Sequence, residues 1–327
     1  MENNPLVSIV IITYNSAKYV LETLESVKAQ TYKNIELIVS DDGSVKDNTE
    51  AIVSKWIDEN KEFFNIPPVL ITVEKNTGTV KNLNRGVKAS HGKWIKSLAG
   101  DDKLKPNCTE EFVKYVQSNP LCQFCCCDLD LFSEEGNVSS DLIMWYNYFF
   151  NCVKESYKDK CRRIISEYTI PGPGWFYSRK LYDEIGGFDE AYILMEEWPF
   201  AYKALKAGYD ICPVEQKLVD YRYSETSVCH SRDNDLGNKL LFDDTFKFYR
   251  KVLRHELIKR GKVLQAWHYN INYKMVNFKY RNPSKRKLIM YKLYHRVFDP
   301  LFYFEKAKKV LKLLIIKCRG DKRCTGL

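Results

Sequence analysis

No run of about 18 apolar residues, the least that reads as a membrane-spanning helix, occurs in this chain of 327 residues. The opening Met1-Glu2-Asn3-Asn4-Pro5 has no basic stretch leading into an apolar one, so a cleaved secretory signal is not expected. Also missing are the GxxxxGK[ST] phosphate loop, the GxGxxG dinucleotide turn, the GxSxG elbow and the HExxH helix. These absences exclude the commonest nucleotide-triphosphate, dinucleotide, serine-hydrolase and zinc-protease readings. His91, His230, His255, His268 and His295 form no ligand-spaced cluster, and no internal repeat is visible.

Cysteine is present in an odd number, eleven, and Cys122, Cys125, Cys126 and Cys127 crowd into one apolar segment. Adjacent cysteines make poor disulfide partners, and zinc sites usually show two separated ligand pairs. The thiols are therefore read as reduced, small core residues on a strand. With 45% hydrophobic and 28% charged residues the chain is neither disordered nor collagen-like, and its length suits two domains. The net charge of +9 is uneven. Residues 271–327 carry 16 Lys+Arg against Asp299, Glu305 and Asp321, a surplus of +13 that leaves −4 on the first 270 residues. An acidic body with a basic tail points to an anionic surface partner.

Residues 6 to about 105 alternate strand-like and helix-like patterns. The β-branched run Val7–Ile12 predicts a strand buried on both faces, and Val20, Leu21, Leu24 and Val27 follow at helical spacing. Further strands are expected at Ile35–Val39, Val69–Val73 and Trp94–Leu98, with helices at about 48–60 and within 76–89. This β-α-β-α order implies a mainly parallel sheet covered by helices. Ligands bind beyond the carboxyl ends of such strands. Three polar clusters fall there: Thr13 to Ser16, Asp41 to Ser44, and Asp101-Asp102. Each alone reads as a turn or cap; three on one edge read as a site. Residues 106–228 are more mixed, with turns at Pro171–Gly174 and Gly186–Asp189, and beyond 230 the chain turns helical, basic and aromatic.

Two adjacent carboxylates, Asp101-Asp102, are costly to bury unless a cation neutralises them. Hard oxygen ligands suit Mg²⁺ or Mn²⁺, commonly held by one or two carboxylates plus substrate phosphates. A second acidic pair, Glu196-Glu197, precedes Trp198-Pro199-Phe200 and a helix-like Ala201–Ala207. Side chains one residue apart diverge on a helix, so one of the pair is expected to face a reacting group. A metal, a phosphate ligand and a separate carboxylate base together fit displacement of a phosphate leaving group.

The ordered motifs resemble family 2 glycosyltransferases. They run Val7–Asn15, Ile38–Ser44, Asn76-Thr77-Gly78, Asn84-Arg85-Gly86, Gly92–Lys96, Gly100-Asp101-Asp102, Gly186–Glu190, Glu196–Phe200 and Lys206–Tyr209. The resemblance covers residues 6–228 and implies an α/β GT-A fold and an inverting, metal-dependent hexosyl transfer from a nucleotide-sugar. By it, Thr13, Tyr14 and Asn15 border the nucleotide, and Asp41 accepts the uracil N–H, favouring a UDP-sugar. The segment 76–84, with Asn76, Gly78 and Lys81, lines the donor pocket. Asp101 contacts the ribose side, and Asp102, with Asp101 beside it, faces the Mn²⁺ or Mg²⁺ ion. Glu197 stands where the family usually has Asp and is the expected base, with Glu196 as its rival. The chain departs from the family at Ala99 and Ser224, which replace an acid and a histidine, and at Leu83, where Lys81 or Arg85 could substitute for an arginine.

The organisation expected is a catalytic domain at 1–230 and a helical extension at 231–327. Residues 297–317 interleave aromatic and aliphatic residues with five lysines. They read as an amphipathic basic segment for an anionic bilayer, the rival being a helix packed on the catalytic domain. No nucleic-acid motif accompanies them. The expected partners are a nucleotide-sugar and a glycan acceptor, lipid-linked if the tail holds the protein peripherally on the cytoplasmic membrane face for surface polysaccharide synthesis. Two other readings stand beside this one: sugar transfer to polyprenyl phosphate, which needs no base, and a catalytically silent sugar-nucleotide-binding module.

Overall fold

The computed structural model describes residues 4–134, 136, 138–168, 170–224, 238–281 and 301. His230 and the basic segment at 297–317, apart from Leu301, lie outside them. By its internal contacts the chain divides into two units, Met1–Ser224 and Glu225–Leu327.

The first unit is built on eight strands: β1 (Val7–Thr13), β2 (Ile35–Asp41), β3 (Val69–Thr72), β4 (Trp94–Ala99), β5 (Lys103–Leu104), β6 (Phe124–Phe132), β7 (Trp175–Ser178) and β8 (Cys212–Arg222). They form one sheet in the order β3-β2-β1-β4-β7-β6-β8-β5. β3, β2, β1 and β4 run parallel, β7 reverses against both β4 and β6, and β8 pairs parallel to β6. The β-branched run of β1 is continuous rather than alternating because both faces of the sheet are covered. Val7, Ile9 and Ile11 pack on one side with Val20, Leu24 and Val27 of helix α1 (Val20–Lys28) and with Val53 and Trp56 of α2 (Thr49–Asn60). On the other side, helix α3 (Thr79–Lys88) buries Val80, Leu83 and Val87. The stretch 122–127 is core, as its composition implies: Cys125, Cys126 and Cys127 lie on β6 with no exposure, and Cys122 just before it is buried.

Helix α4 (Cys108–Ser118) returns the chain to β6, and α5 (Ser140–Val153) and α6 (Tyr157–Arg163) lead to β7. Beyond it come α7 (Arg179–Glu184) and α8 (Glu197–Lys206). Helix α8 starts four residues earlier than its apolar pattern suggests. Pro199 sits in its first turn, where a missing N–H costs nothing because that donor has no partner within the helix. The described part of the second unit is helical: α9 (Lys239–Phe248) runs through one wide helical turn at Tyr249–Leu253 into α10 (Arg254–Lys259), and α11 (Val263–Arg281) follows after a short turn.

Candidate active site

The carboxyl ends of β1, β2 and β4 lie side by side, so the three polar clusters share one edge. The Asp42 N–H donates to the Thr13 carbonyl at 2.9 Å, and Gly100 N–H to the Ile12 carbonyl at 2.9 Å. Thr13 and Asp41 meet directly. The Asp41 carboxylate is fully buried and takes three donors from its own chain: Thr13 Oγ1 at 2.7 Å, Ser44 Oγ at 2.6 Å and Ser44 N–H at 2.8 Å. Asn15 closes the turn in a left-handed conformation, φ +50°, its N–H on Ser44 Oγ. Short polar side chains tolerate that region because they bond their own backbone. Tyr14, 40% exposed, projects at the rim.

Asp42, whose role the sequence left open, anchors the next segment. Its carboxylate accepts the N–H groups of Thr77 and Gly78, each at 2.8 Å, the Thr77 hydroxyl at 2.6 Å and the Arg85 guanidinium at 3.1 Å. Gly78 has φ +93°, and a Cβ there would strike Ile193, so the turn into α3 requires glycine. Asn76 caps it through its side-chain oxygen on Gly78 N–H. Arg85 is thus committed to Asp42, Thr77 and Asn82, which leaves Lys81, exposed on α3, as the cation of this segment facing solvent.

At the end of β4, Asp102 is 1% exposed. Its Oδ1 accepts the backbone N–H of Arg222 at 2.9 Å, and its Oδ2 is buried with no partner. Burial, and then the neighbouring Asp101, hold the Asp102 carboxyl well above the ordinary carboxylate range; burial also raises Asp101. Arg222, at the last position of β8, is itself buried. Its guanidinium binds the Asp101 carbonyl at 2.8 Å, pairs with Glu22 at 2.9 Å and with Glu134, and lies between the rings of Tyr19 and Phe132. This clamp was invisible in the sequence because its two sides are 120 residues apart.

The second acidic pair converges on the same place. Glu197 opens α8, and its Oε1 accepts the Gly172 N–H at 2.8 Å. A Cβ on Gly172 would come to 1.9 Å from that oxygen, so glycine permits the approach. Burial pushes the Glu197 carboxyl up to about 7, against the opposing pull of the Tyr168 hydroxyl and the Gly172 N–H. Lys96, 1% exposed on β4, fastens the same turn by donating to the Pro173 carbonyl at 2.7 Å. Asp102, Glu196 and Glu197 together line a cavity of about 80 Å³, closed by Leu83, Trp175 and Phe188 among others.

The Asp102 end of this cavity has donor chemistry suited to a divalent cation. Asp102 keeps a partnerless carboxylate oxygen, and unneutralised carboxylates are expensive there. Among the described residues no group of three His, Cys, Asp or Glu side chains could hold an ion by itself. Phosphate oxygens would have to complete its shell, as is usual for Mg²⁺. Ser224 supplies no imidazole.

The family profile described as Glycosyl transferase family 2 matches residues 8–186, more than half of the chain. The protein belongs to that family, and it is a glycosyltransferase by descent. It is 31% identical over 234 residues to the uncharacterized glycosyltransferase YwdF of Bacillus subtilis, covering 71% of this chain and 79% of that one. It is 26% identical over 265 residues to an uncharacterized glycosyltransferase of Methanocaldococcus jannaschii, covering 77% and 82%. Among solved structures, S. aureus TarS residues 1–349 in complex with UDP-GlcNAc superposes with a TM-score of 0.56 at 17% identity, over 97% of this chain and 91% of that one. Against another S. aureus TarS structure the TM-score is 0.58 at 16% identity, over 95% of this chain and about half, 54%, of that one. The mannosyltransferase PcManGT of Pyrobaculum calidifontis, in complex with GDP-Man and Mn²⁺, gives 0.57 at 15% identity, over 97% and 87%. The fold is GT-A: a mixed, mostly parallel sheet flanked by helices.

Proposed function

We propose that this protein transfers a hexosyl group, with inversion, from a UDP-sugar to a neutral hydroxyl of a glycan acceptor. The observation that carries the reading is one cavity lined by Asp102, just beyond β4, and by Glu196 and Glu197 at the start of α8. In such a displacement the acceptor oxygen attacks the anomeric carbon, the bond from that carbon to the diphosphate oxygen breaks, and the acceptor proton must leave. Glu197, raised to about 7 by burial, suits the removal of that proton near neutral pH. Glu196 lines the same cavity and remains its rival. A base poised near neutrality favours a hydroxyl acceptor over a polyprenyl phosphate, which arrives already ionised, and over a silent binding module, which needs none.

Asp102, with Asp101 beside it, would hold Mn²⁺ or Mg²⁺, which when bound supplies positive charge to the departing diphosphate. The nucleotide would lie along the edge of β1 and β2, with Tyr14 at its rim and Thr13, Asn15 and Asp41 shaping the floor. The loop Asn76–Gly78 and Lys81 would border the diphosphate and sugar. The UDP preference rests on family resemblance and on the UDP and UDP-GlcNAc complexes of TarS, while the mannosyltransferase with GDP-Man makes GDP-mannose the competing donor.

Nucleotide release from UDP-glucose, UDP-galactose, UDP-GlcNAc and GDP-mannose, with Mn²⁺, Mg²⁺ or EDTA, tests the reading. Release from one donor that EDTA and Asp102→Ala each reduce by at least about 10²-fold is expected. Release that survives both would reject the metal-dependent reaction. The acceptor is proposed to be lipid-linked, in surface polysaccharide assembly on the cytoplasmic membrane face, because residues 271–327 carry the +13 surplus. No helix among the described residues is long and apolar enough to cross a membrane.

A further inference from the structure

One of the residues lining this cavity carries a buried donor that the proposed chemistry does not use. Trp175, the first residue of β7, is 1% exposed and lines the cavity. Its ring is held edge-on to Phe124 at 5.0 Å between centroids and stacked on Phe200 at 5.6 Å. Its indole Nε1–H has no hydrogen-bond partner. Phenylalanine would offer an aromatic ring to Phe124 and Phe200 without a buried donor, so the N–H is the feature that packing leaves unexplained. Buried indole N–H groups normally find an acceptor, and leaving one unpaired is costly.

We propose that the Trp175 N–H donates a hydrogen bond to an oxygen substituent of the transferred sugar and so helps select the donor. The proposal rests on the transferase reading above. The polarity of the cavity wall supports it: Asp102, Glu196 and Glu197 when ionised can only accept hydrogen bonds, whereas the indole can only donate. A sugar does both through each hydroxyl, and its place in a displacement is between the diphosphate end, marked by Asp102, and the base end, marked by Glu197. Sites that bond a substrate hydroxyl reject analogues lacking it, because the protein group is then left unpaired. Trp175 would supply that discrimination from a strand, whose packing fixes the indole in place.

The test is calorimetric binding with Mn²⁺ of free UDP, free GDP, the four sugar nucleotides named above and monodeoxy analogues of whichever binds best, to wild-type protein and to Trp175→Phe. The expected result is nucleotide affinity unchanged within about twofold and sugar-nucleotide affinity lowered about tenfold in Trp175→Phe. One deoxy analogue should bind the wild type about tenfold more weakly and make no distinction in the variant. Equal losses for free nucleotide and sugar nucleotide, or no loss for either, overturn the proposal while the transferase reading stands. Wild-type protein that binds none of the sugar nucleotides overturns both. A crystal structure of wild-type protein with the best-binding donor decides the matter if the variant does not fold. A sugar oxygen within about 3.2 Å of Nε1 supports the assignment and its absence rejects it.

Discussion

Glu197 is where chemistry and stability pull against each other most visibly. Its carboxyl, lifted by burial from an ordinary 4.5 to about 7, favours the protonated form in the folded protein. That contribution to stability is full below the ordinary value and is lost as pH rises through about 7. Glu197→Gln cannot ionise, so it should melt with the wild type near pH 5 and above it at pH 8, by at least about 2–4 °C. Its turnover of a hydroxyl acceptor should fall about 10²–10⁴-fold, and the rise in wild-type rate between pH 6 and 8 should vanish. A variant that melts below wild type at pH 8 would show that the carboxylate is a structural anion. If Glu196→Gln alone flattens the pH profile, the base is the neighbouring residue.

The turn Pro171–Gly174 is the element on which the proposed base depends, tied to β4 through Lys96 and to α8 through the Gly172 N–H. Gly172→Ala would drive a methyl group into the Glu197 carboxylate. It should lower kcat about 10²-fold, the loss expected of a displacement near 1 Å, with the KM for the donor little changed. A wild-type kcat would show that the turn relaxes without disturbing the base. The parallel strands of the first hundred residues were legible in advance. β1, β2 and β4 announce themselves as β-branched or apolar runs, and the polar residues at their ends as a ligand edge. β8 did not, because Glu215, Gln216 and Lys217 face solvent and its pairing with β6 slips at Asp128, breaking any simple period. The roles of Asp42, Arg85, Lys96 and Arg222 were equally hidden. Their partners are supplied by tertiary contacts that no local pattern encodes, and a lone lysine in a strand run reads as a surface residue.

At the scale of the whole molecule the chief asymmetry is of charge, with −4 on the first 270 residues and +13 on the rest. If the tail serves a membrane surface, each cation near an anionic bilayer adds about 1 kcal/mol. Protein deleted after Pro300 should then leave the membrane fraction, and intact protein should be released as salt shortens the screening length. Undiminished recovery of the deleted protein with membranes would reject that role. The clamp on the acidic pair bears on how the molecule is made. Asp102 emerges from the ribosome early, but the N–H that fixes it belongs to Arg222, 120 residues later. A nascent chain can therefore assemble β1, β2 and β4 long before the Asp102 end of the cavity is in register. The enzyme would remain unable to act on the cell's sugar nucleotides until β8 is synthesised, so any message truncated before it would encode an inert product, not a leaky one.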